Sequence, residues 1–239
     1  MARLTKRQKE IKELLGEKES FSPNEAIEMV KKTALAKFDE TIEVAFYLGI
    51  NPKHADQQVR STVTLPEGTG QDVRVVVAAK GQNIKIAQEA GAVEAGAEDL
   101  IEKIQGGWFD FDILIATADM MGQLSKLGRV LGPKKLMPNP KAGTVIPPSP
   151  DAVKKAVEEF SAGKVEFRND RQGNVHVAIG KASFEPQRLQ KNLSAIVGAI
   201  QKIKPAASKG QYIKTLALTS TMGPGLMIDQ SKLAELSAV

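Results

Sequence analysis

The 239-residue sequence contains no cysteine, only two histidines, and aromatic residues at just 5%. Without cysteine there is no disulfide frame, no thiolate zinc site and no cysteine nucleophile. His54 and His176 stand outside any metal-ligand spacing, so neither a metal nor another cofactor is expected. Scarce aromatics argue against a single nucleic-acid strand laid over stacked rings, whereas reading the shape of a folded RNA needs few of them. No apolar run approaches the roughly 18 residues of a membrane span, and the basic start Met1-Ala2-Arg3-Leu4-Thr5-Lys6-Arg7 has no apolar segment behind it. A soluble, cytoplasmic chain without membrane association is the expectation.

Catalytic motifs are missing too. Lys80-Gly81-Gln82-Asn83 lacks the glycine spacing of a dinucleotide fold. No glycine lies five residues before Gly163-Lys164 or Gly180-Lys181, which excludes a phosphate loop. No serine is framed by glycines as a nucleophile elbow. Asp110 and Asp112 form a possible carboxylate pair, but two positions apart before a strand they read as a solvated turn. No enzyme site is therefore expected. A nucleotide-dependent enzyme or a charge-driven nucleic-acid chaperone would be the alternatives.

What is present is charge with an uneven distribution. Residues 1–67 hold 11 basic and 11 acidic side chains, residues 68–159 hold 11 and 12, and residues 160–239 hold 11 and 5. Between Glu185 and Asp229 there is no acid, while Arg188, Lys191, Lys202, Lys204, Lys209 and Lys214 lie in that window. A polyanion could dock there.

Hydrophobic residues at 42% are enough for two cores. Leu4, Ile11, Leu14 and Leu15 share one side of a first helix, and Ser22-Pro23-Asn24-Glu25 opens a second with a capping box. Ile42, Val44, Phe46 and Leu48 alternate, as do Val59, Ser61, Val63 and Leu65, predicting two strands that pair antiparallel. From Gly68-Thr69-Gly70 the texture becomes alternating β and α, with apolar strand runs at Val73 to Ala79 and Ile113 to Thr117, as in a parallel sheet covered on both faces. Strands return at Lys164 to Arg168 and Val175 to Ile179. They are followed by a helix from about Pro186 with Leu189, Leu193, Ile196, Val197, Ile200 and Ile203 on one face, and Arg188, Lys191 and Lys202 opposite. A strand from Tyr212 to Ser220 and the loop Thr221-Met222-Gly223-Pro224-Gly225 close the pattern.

Two segments stand out. From Met120 to Pro150 there is no acid, and Lys126, Arg129, Lys134, Lys135 and Lys141 sit among glycines and prolines. That composition fits a rigid connector and a phosphate-contacting loop equally well. The helix before the loop buries Met121, Leu124, Leu127 and Leu131. The second segment, Thr221 to Gly225, is on its own a Pro-Gly turn.

Met121-Gly122-Gln123-Leu124-Ser125-Lys126-Leu127-Gly128-Arg129-Val130-Leu131-Gly132-Pro133, then Met137-Pro138-Asn139-Pro140-Lys141-Ala142-Gly143-Thr144-Val145, and Thr221-Met222-Gly223-Pro224-Gly225 resemble the bacterial form of the ribosomal protein L-one family, the protein of the mobile side stalk. Ala36-Lys37-Phe38-Asp39-Glu40-Thr41 and Phe167-Arg168-Asn169-Asp170 fit the same family in the same order. The resemblance implies an α/β protein of two domains. One is a discontinuous α+β RNA-binding domain built from both chain ends, residues 1–67 and 160–239. The other is an inserted Rossmann-like three-layer α/β domain, residues 68–159.

It implies a structural constituent of the large ribosomal subunit that binds stalk rRNA, helps release deacylated tRNA from the exit site, and represses translation of its own operon's messenger RNA. The implied RNA contacts are Lys37, Phe38 and Thr41, then Arg168, Asn169, Asp170, Arg171 and His176, and finally Ser220, Thr221, Met222 and Gly223. Ser220 and Thr221 would bond ribose 2′-hydroxyls, Gly223 would permit close approach, Met222 and Phe38 would pack on a base or sugar, and basic groups would neutralise phosphates. Asp170 would accept a hydrogen bond from RNA or orient Arg168.

Overall fold

The computed structural model describes residues 5–16, 18–206, 208 and 210–232. Leu4 and Lys209 lie outside them. The elements in chain order are α1 (Lys6–Leu15), α2 (Pro23–Thr33), β1 (Thr41–Leu48), β2 (Arg60–Thr64), β3 (Val75–Ala78), α3 (Gln82–Glu89), β4 (Glu94–Gly96), α4 (Glu98–Gln105), β5 (Ile113–Thr117), α5 (Met121–Leu124), α6 (Gly128–Leu131), β6 (Val145–Ile146), α7 (Pro150–Ser161), β7 (Lys164–Arg168), β8 (Asn174–Lys181), α8 (Pro186–Lys202), β9 (Ile213–Ser220) and β10 (Leu226–Met227). They fall into two compact units, one within Met1–Gly70 and Phe167–Val239, the other Gln71–Glu166.

The first unit is built on a four-stranded sheet of order β10-β9-β1-β8. β1 lies centrally, antiparallel to β8 (Ala45 opposite His176) and to β9 (Ala45 opposite Ala217). The period-2 pattern does its work here: Ile42, Val44, Phe46 and Leu48 are buried, together with Val175, Val177, Leu216 and Leu218 on the flanking strands. α2 and α8 cover this face. α2 starts at a capping box in which Ser22 and Glu25 satisfy each other's backbone N–H. α8 contributes Leu189, Leu193, Ile196, Val197 and Ile200, while Ile203 falls one residue past its end. In α1 only Ile11 is buried; Leu14 is 44% exposed.

The expected antiparallel pairing of β1 with β2 does not occur. Both edges of β1 are occupied by strands from the C-terminal part of the chain, and β2 pairs with β7 instead. The usual preference for neighbours in sequence loses to a sheet completed by the far end of the chain.

Asn192 of α8, fully buried, donates to the carbonyls of Gly68 (2.9 Å) and Ile179 (2.8 Å) and accepts from the Glu67 N–H (3.1 Å). The basic face of α8 is partly neutralised inside the fold. Arg188 and Lys191 both bond the Glu67 carboxylate, at 3.0 and 2.9 Å. These two cations share one carboxylate at the surface, while Lys202 and Lys204 are exposed without a carboxylate partner among the described residues.

The second unit carries a parallel sheet of order β4-β3-β5-β6. One face packs on α3 and α7 through Val75, Val77, Ala87, Val153, Val157 and Phe160. The other packs on α4 and the helical turns after β5 through Val76, Leu100, Ile104, Leu124, Leu127 and Leu131. The apolar run expected from Val73 is interrupted by Arg74, and β3 begins after it. Arg74 clamps the pair read as a solvated turn: its guanidinium bonds Asp110 at 3.3 Å and Asp112 at 3.1 and 3.2 Å, and its N–H also donates to Asp112. Those carboxylates are tied to a fold contact rather than arranged for acid–base work. No helix among the described residues is long and apolar enough to cross a membrane.

Candidate RNA interface

Thr41 opens β1 and Ser220 closes β9, and antiparallel pairing sets Ile42 opposite Ser220. Two segments distant in sequence, 36–41 and 220–223, are thereby brought to one end of the sheet. Thr221 completes the join. Its N–H donates to the Thr41 carbonyl at 3.0 Å, and its hydroxyl accepts from the Thr41 N–H at 3.0 Å and donates to the Thr41 carbonyl at 3.2 Å. Lys181, opposite Thr41 on β8, donates to the Thr41 hydroxyl at 2.9 Å.

Beneath this join sits Glu40, 1% exposed. One carboxylate oxygen accepts from the Ser220 hydroxyl at 2.7 Å and from the Met222 N–H at 2.9 Å. The other accepts from the Ala36 N–H at 2.9 Å and from the Arg7 guanidinium of α1 at 3.4 Å. Burial alone would push this carboxyl up. The hydrogen bonds from Met222, Ser220 and Ala36, with the Arg7 charge, prevail and hold it below the usual carboxylate range. Glu40 is thus an anion that fixes the segment before β1 and the loop after β9 in one geometry.

What the scaffold leaves outside is apolar. Phe38 is 56% exposed and Met222 57% exposed, one on each segment that Glu40 joins. Large apolar side chains held in solvent on rigid loops suit packing against a partner. Lys37 is exposed beside Phe38.

Several expected roles change. Ser220 is 2% exposed and gives its hydroxyl hydrogen to Glu40, so it shapes the loop instead of meeting a ribose. The Thr221 hydroxyl is engaged with Thr41 as described. Gly223 is needed by the fold itself: a Cβ there would sit 2.3 Å from the Ser220 Oγ. Asn169 is 9% exposed; its side-chain oxygen accepts from the Val59 N–H at 2.7 Å and its amide donates to the Asp170 carbonyl at 2.8 Å. Asp170 makes no hydrogen bond to Arg168, and most of its acceptor capacity is spent within its own turn. It accepts from the Gln172 and Asn174 N–H groups, each at 2.8 Å, and from the Asn174 side chain at 3.0 Å. Burial would raise its pKa, but these donors lower it.

Arg168, Arg171 and His176 are exposed. Arg168 ends β7, and the turn from Asp170 to Gly173, with Arg171 in it, leads to Asn174, which pairs with Tyr47 at the opposite end of β1 from Thr41. At about 3.4 Å per residue the two ends are roughly 20 Å apart. His176 lies between them on the face away from α2 and α8, where Glu43, Ala45, Tyr47, Thr215 and Thr219 are exposed or half-buried. The residues therefore form two clusters along one strand system, with His176 in the middle of the open sheet face, rather than a single spot.

Glu40, Arg7 and Lys181 are site residues that local sequence does not single out. A carboxylate directly before a strand is the visible signal for Glu40; three of its partners are invisible because Arg7, Ser220 and Met222 lie 33, 180 and 182 positions away in sequence. Residues 30–224, the greater part of the sequence, match the ribosomal protein L1p/L10e family, and the chain belongs to that family.

Proposed function

We propose that this chain is a bacterial-type structural constituent of the large ribosomal subunit that grips folded stalk rRNA with its split α+β unit. Membership of a ribosomal protein family supports a structural, rRNA-binding role. The observation that carries the finer reading is the Glu40 junction. It rigidly joins two segments far apart in sequence and leaves Phe38 and Met222 exposed on them.

Phe38 and Met222 pack against sugar or base faces at one end of the site. Lys37 meets the sugar–phosphate backbone there, at the strand ends that the Thr41–Thr221 hydrogen bonds hold together. Arg168, Arg171 and His176 neutralise or bond phosphates along the open sheet face towards the other end. Ser220, Gly223, Asn169 and Asp170 serve the same surface indirectly, by holding its loops. An elongated surface of about 20 Å fits a folded helix better than an extruded base. Two consequences of the family resemblance belong to the same proposal: contact with deacylated tRNA at the exit site, and repression of its own messenger by a site that mimics the rRNA.

Binding isotherms of the whole chain to a stalk rRNA fragment, a scrambled hairpin and duplex DNA at physiological salt test this reading. Preference for the stalk fragment by at least about tenfold is expected, because shape and 2′-hydroxyl contacts add to charge. Equal binding to all three would reduce the protein to a nonspecific polycation.

A further inference from the structure

The inserted unit has an asymmetric charge distribution that the split-unit site does not use. Residues 71–166 hold 12 Lys and Arg and 13 Asp and Glu, yet all 13 acids lie outside the span 120–150, which keeps Lys126, Arg129, Lys134, Lys135 and Lys141. All five are exposed, and none forms an ion pair with a carboxylate among the described residues. Elsewhere in this unit four of the seven cations are matched: Arg74 with Asp110 and Asp112, Lys103 with Glu94, Lys155 and Lys164 with Glu159.

The span is also rigid. Leu136 and Met137 pack against the unit's core. Asn139 caps the turn Pro140–Ala142 by accepting from the Lys141 N–H at 2.8 Å, and its own N–H donates to the Thr144 hydroxyl at 2.8 Å.

The turn before it holds a second observation. The Leu136 N–H returns to the Leu131 carbonyl at 3.1 Å, and the Lys135 N–H to the Gly132 carbonyl at 3.0 Å. This is the double bond pattern of a Schellman helix ending, in which the penultimate residue takes a left-handed backbone and is usually glycine. Here it is Lys135, at φ 62°, the one non-glycine with positive φ among the described residues. A lysine kept where glycine is easier points to a use for its side chain. Lys134, next to it, is held over the Phe109 ring at 4.2 Å, so its ammonium is placed rather than free to sweep.

We infer that this basic span is a second RNA contact, a preformed cradle on the inserted unit for the phosphates of a double-helical segment of the rRNA that the split unit binds. It rests on that rRNA reading. Five cations without a carboxylate partner, Lys126 and Arg129 on the helical turns after β5 and Lys134, Lys135 and Lys141 on the proline-containing loop that follows, meet a phosphate backbone with little ordering to do, and the contact adds affinity without adding sequence preference.

The test is the salt dependence of binding of the whole chain to a stalk rRNA fragment extended by flanking duplex. Substituting Lys126, Arg129, Lys134 and Lys141 by Gln and Lys135 by Gly should flatten the slope of log affinity against log salt by about 0.9 for each phosphate no longer neutralised. Preference for stalk rRNA over scrambled RNA should be unchanged. An unchanged slope and affinity overturn the inference. So does a change that appears with free tRNA but not with the extended rRNA, which would assign the span to a different RNA. If the fivefold variant melts early, Lys135→Gly alone carries the test, since glycine relieves the turn: a slope and affinity equal to the parent's then overturn the inference. A Met222→Ala series run alongside separates the two sites. Intact binding there faults the split-unit reading, whereas intact binding in the Lys135→Gly series faults only this one.

Discussion

The Ser220 hydroxyl donates to Glu40 at 2.7 Å across 180 positions of sequence, and both groups are buried. A charged acceptor in that setting is stabilising only while all its donors are in place. The loop after β9 therefore owes its shape to a residue before β1.

Glu40→Ala removes the common acceptor of Ser220, Met222, Ala36 and Arg7. It should destabilise the split unit by about 2–4 kcal/mol, the range for opening a buried charged network. Denaturant unfolding measures this. Glu40→Gln keeps the shape and one acceptor oxygen and should cost less, while still weakening RNA binding through the Met222 loop. Equal stability of both variants and the parent would mean that the junction is not holding the loop.

The acid limb of stability follows from the same carboxylate. Glu40 and Asp170 are held below their ordinary values of 4.5 and 3.8. A depressed carboxyl binds fewer protons folded than unfolded, so its contribution is complete above the ordinary value and is lost as pH falls through the lower folded one. Melting temperature should be insensitive to these groups above about pH 4.5 and fall below it. Glu40→Gln should show a shallower acid limb than the parent, and identical limbs would contradict the assignment.

Gly223→Ala places a methyl 2.3 Å from the Ser220 Oγ. Overpacking of this kind costs about 1–3 kcal/mol. Ser220→Ala removes the offending oxygen, so the double variant should lose less than the two single losses added together, with a coupling on the order of 1 kcal/mol. Additive losses would mean that the clash is relieved elsewhere.

Local periodicity revealed most elements, because a strand or an amphipathic helix writes its buried face at period 2 or 3.6. The capping box at Ser22 and the alternation from Ile42 to Leu48 are of this kind. Which strands pair is a property of distant partners. β1 and β2, neighbours in sequence, went to different sheets because β8 and β9 took both edges of β1.

The candidate site was legible as a set of segments but not in its division of labour. Nothing local distinguishes Ser220, turned inward to Glu40, from Met222, turned outward. Asp170 and Asn169 likewise read as surface polar residues until the turn they cap is built. The acid pair at Asp110 and Asp112 needed Arg74, 38 positions away from Asp112, to be understood.

Phe38 and Met222 offer the most direct measurement. Both are more than half exposed, so alanine there should leave unfolding nearly unchanged. With the stalk rRNA fragment, each single alanine should weaken binding by about tenfold and the double variant by about a hundredfold, the scale of taking one apolar side chain away from a sugar or base. Full affinity in the stable Phe38→Ala/Met222→Ala double variant would contradict the placement of the RNA surface at this junction.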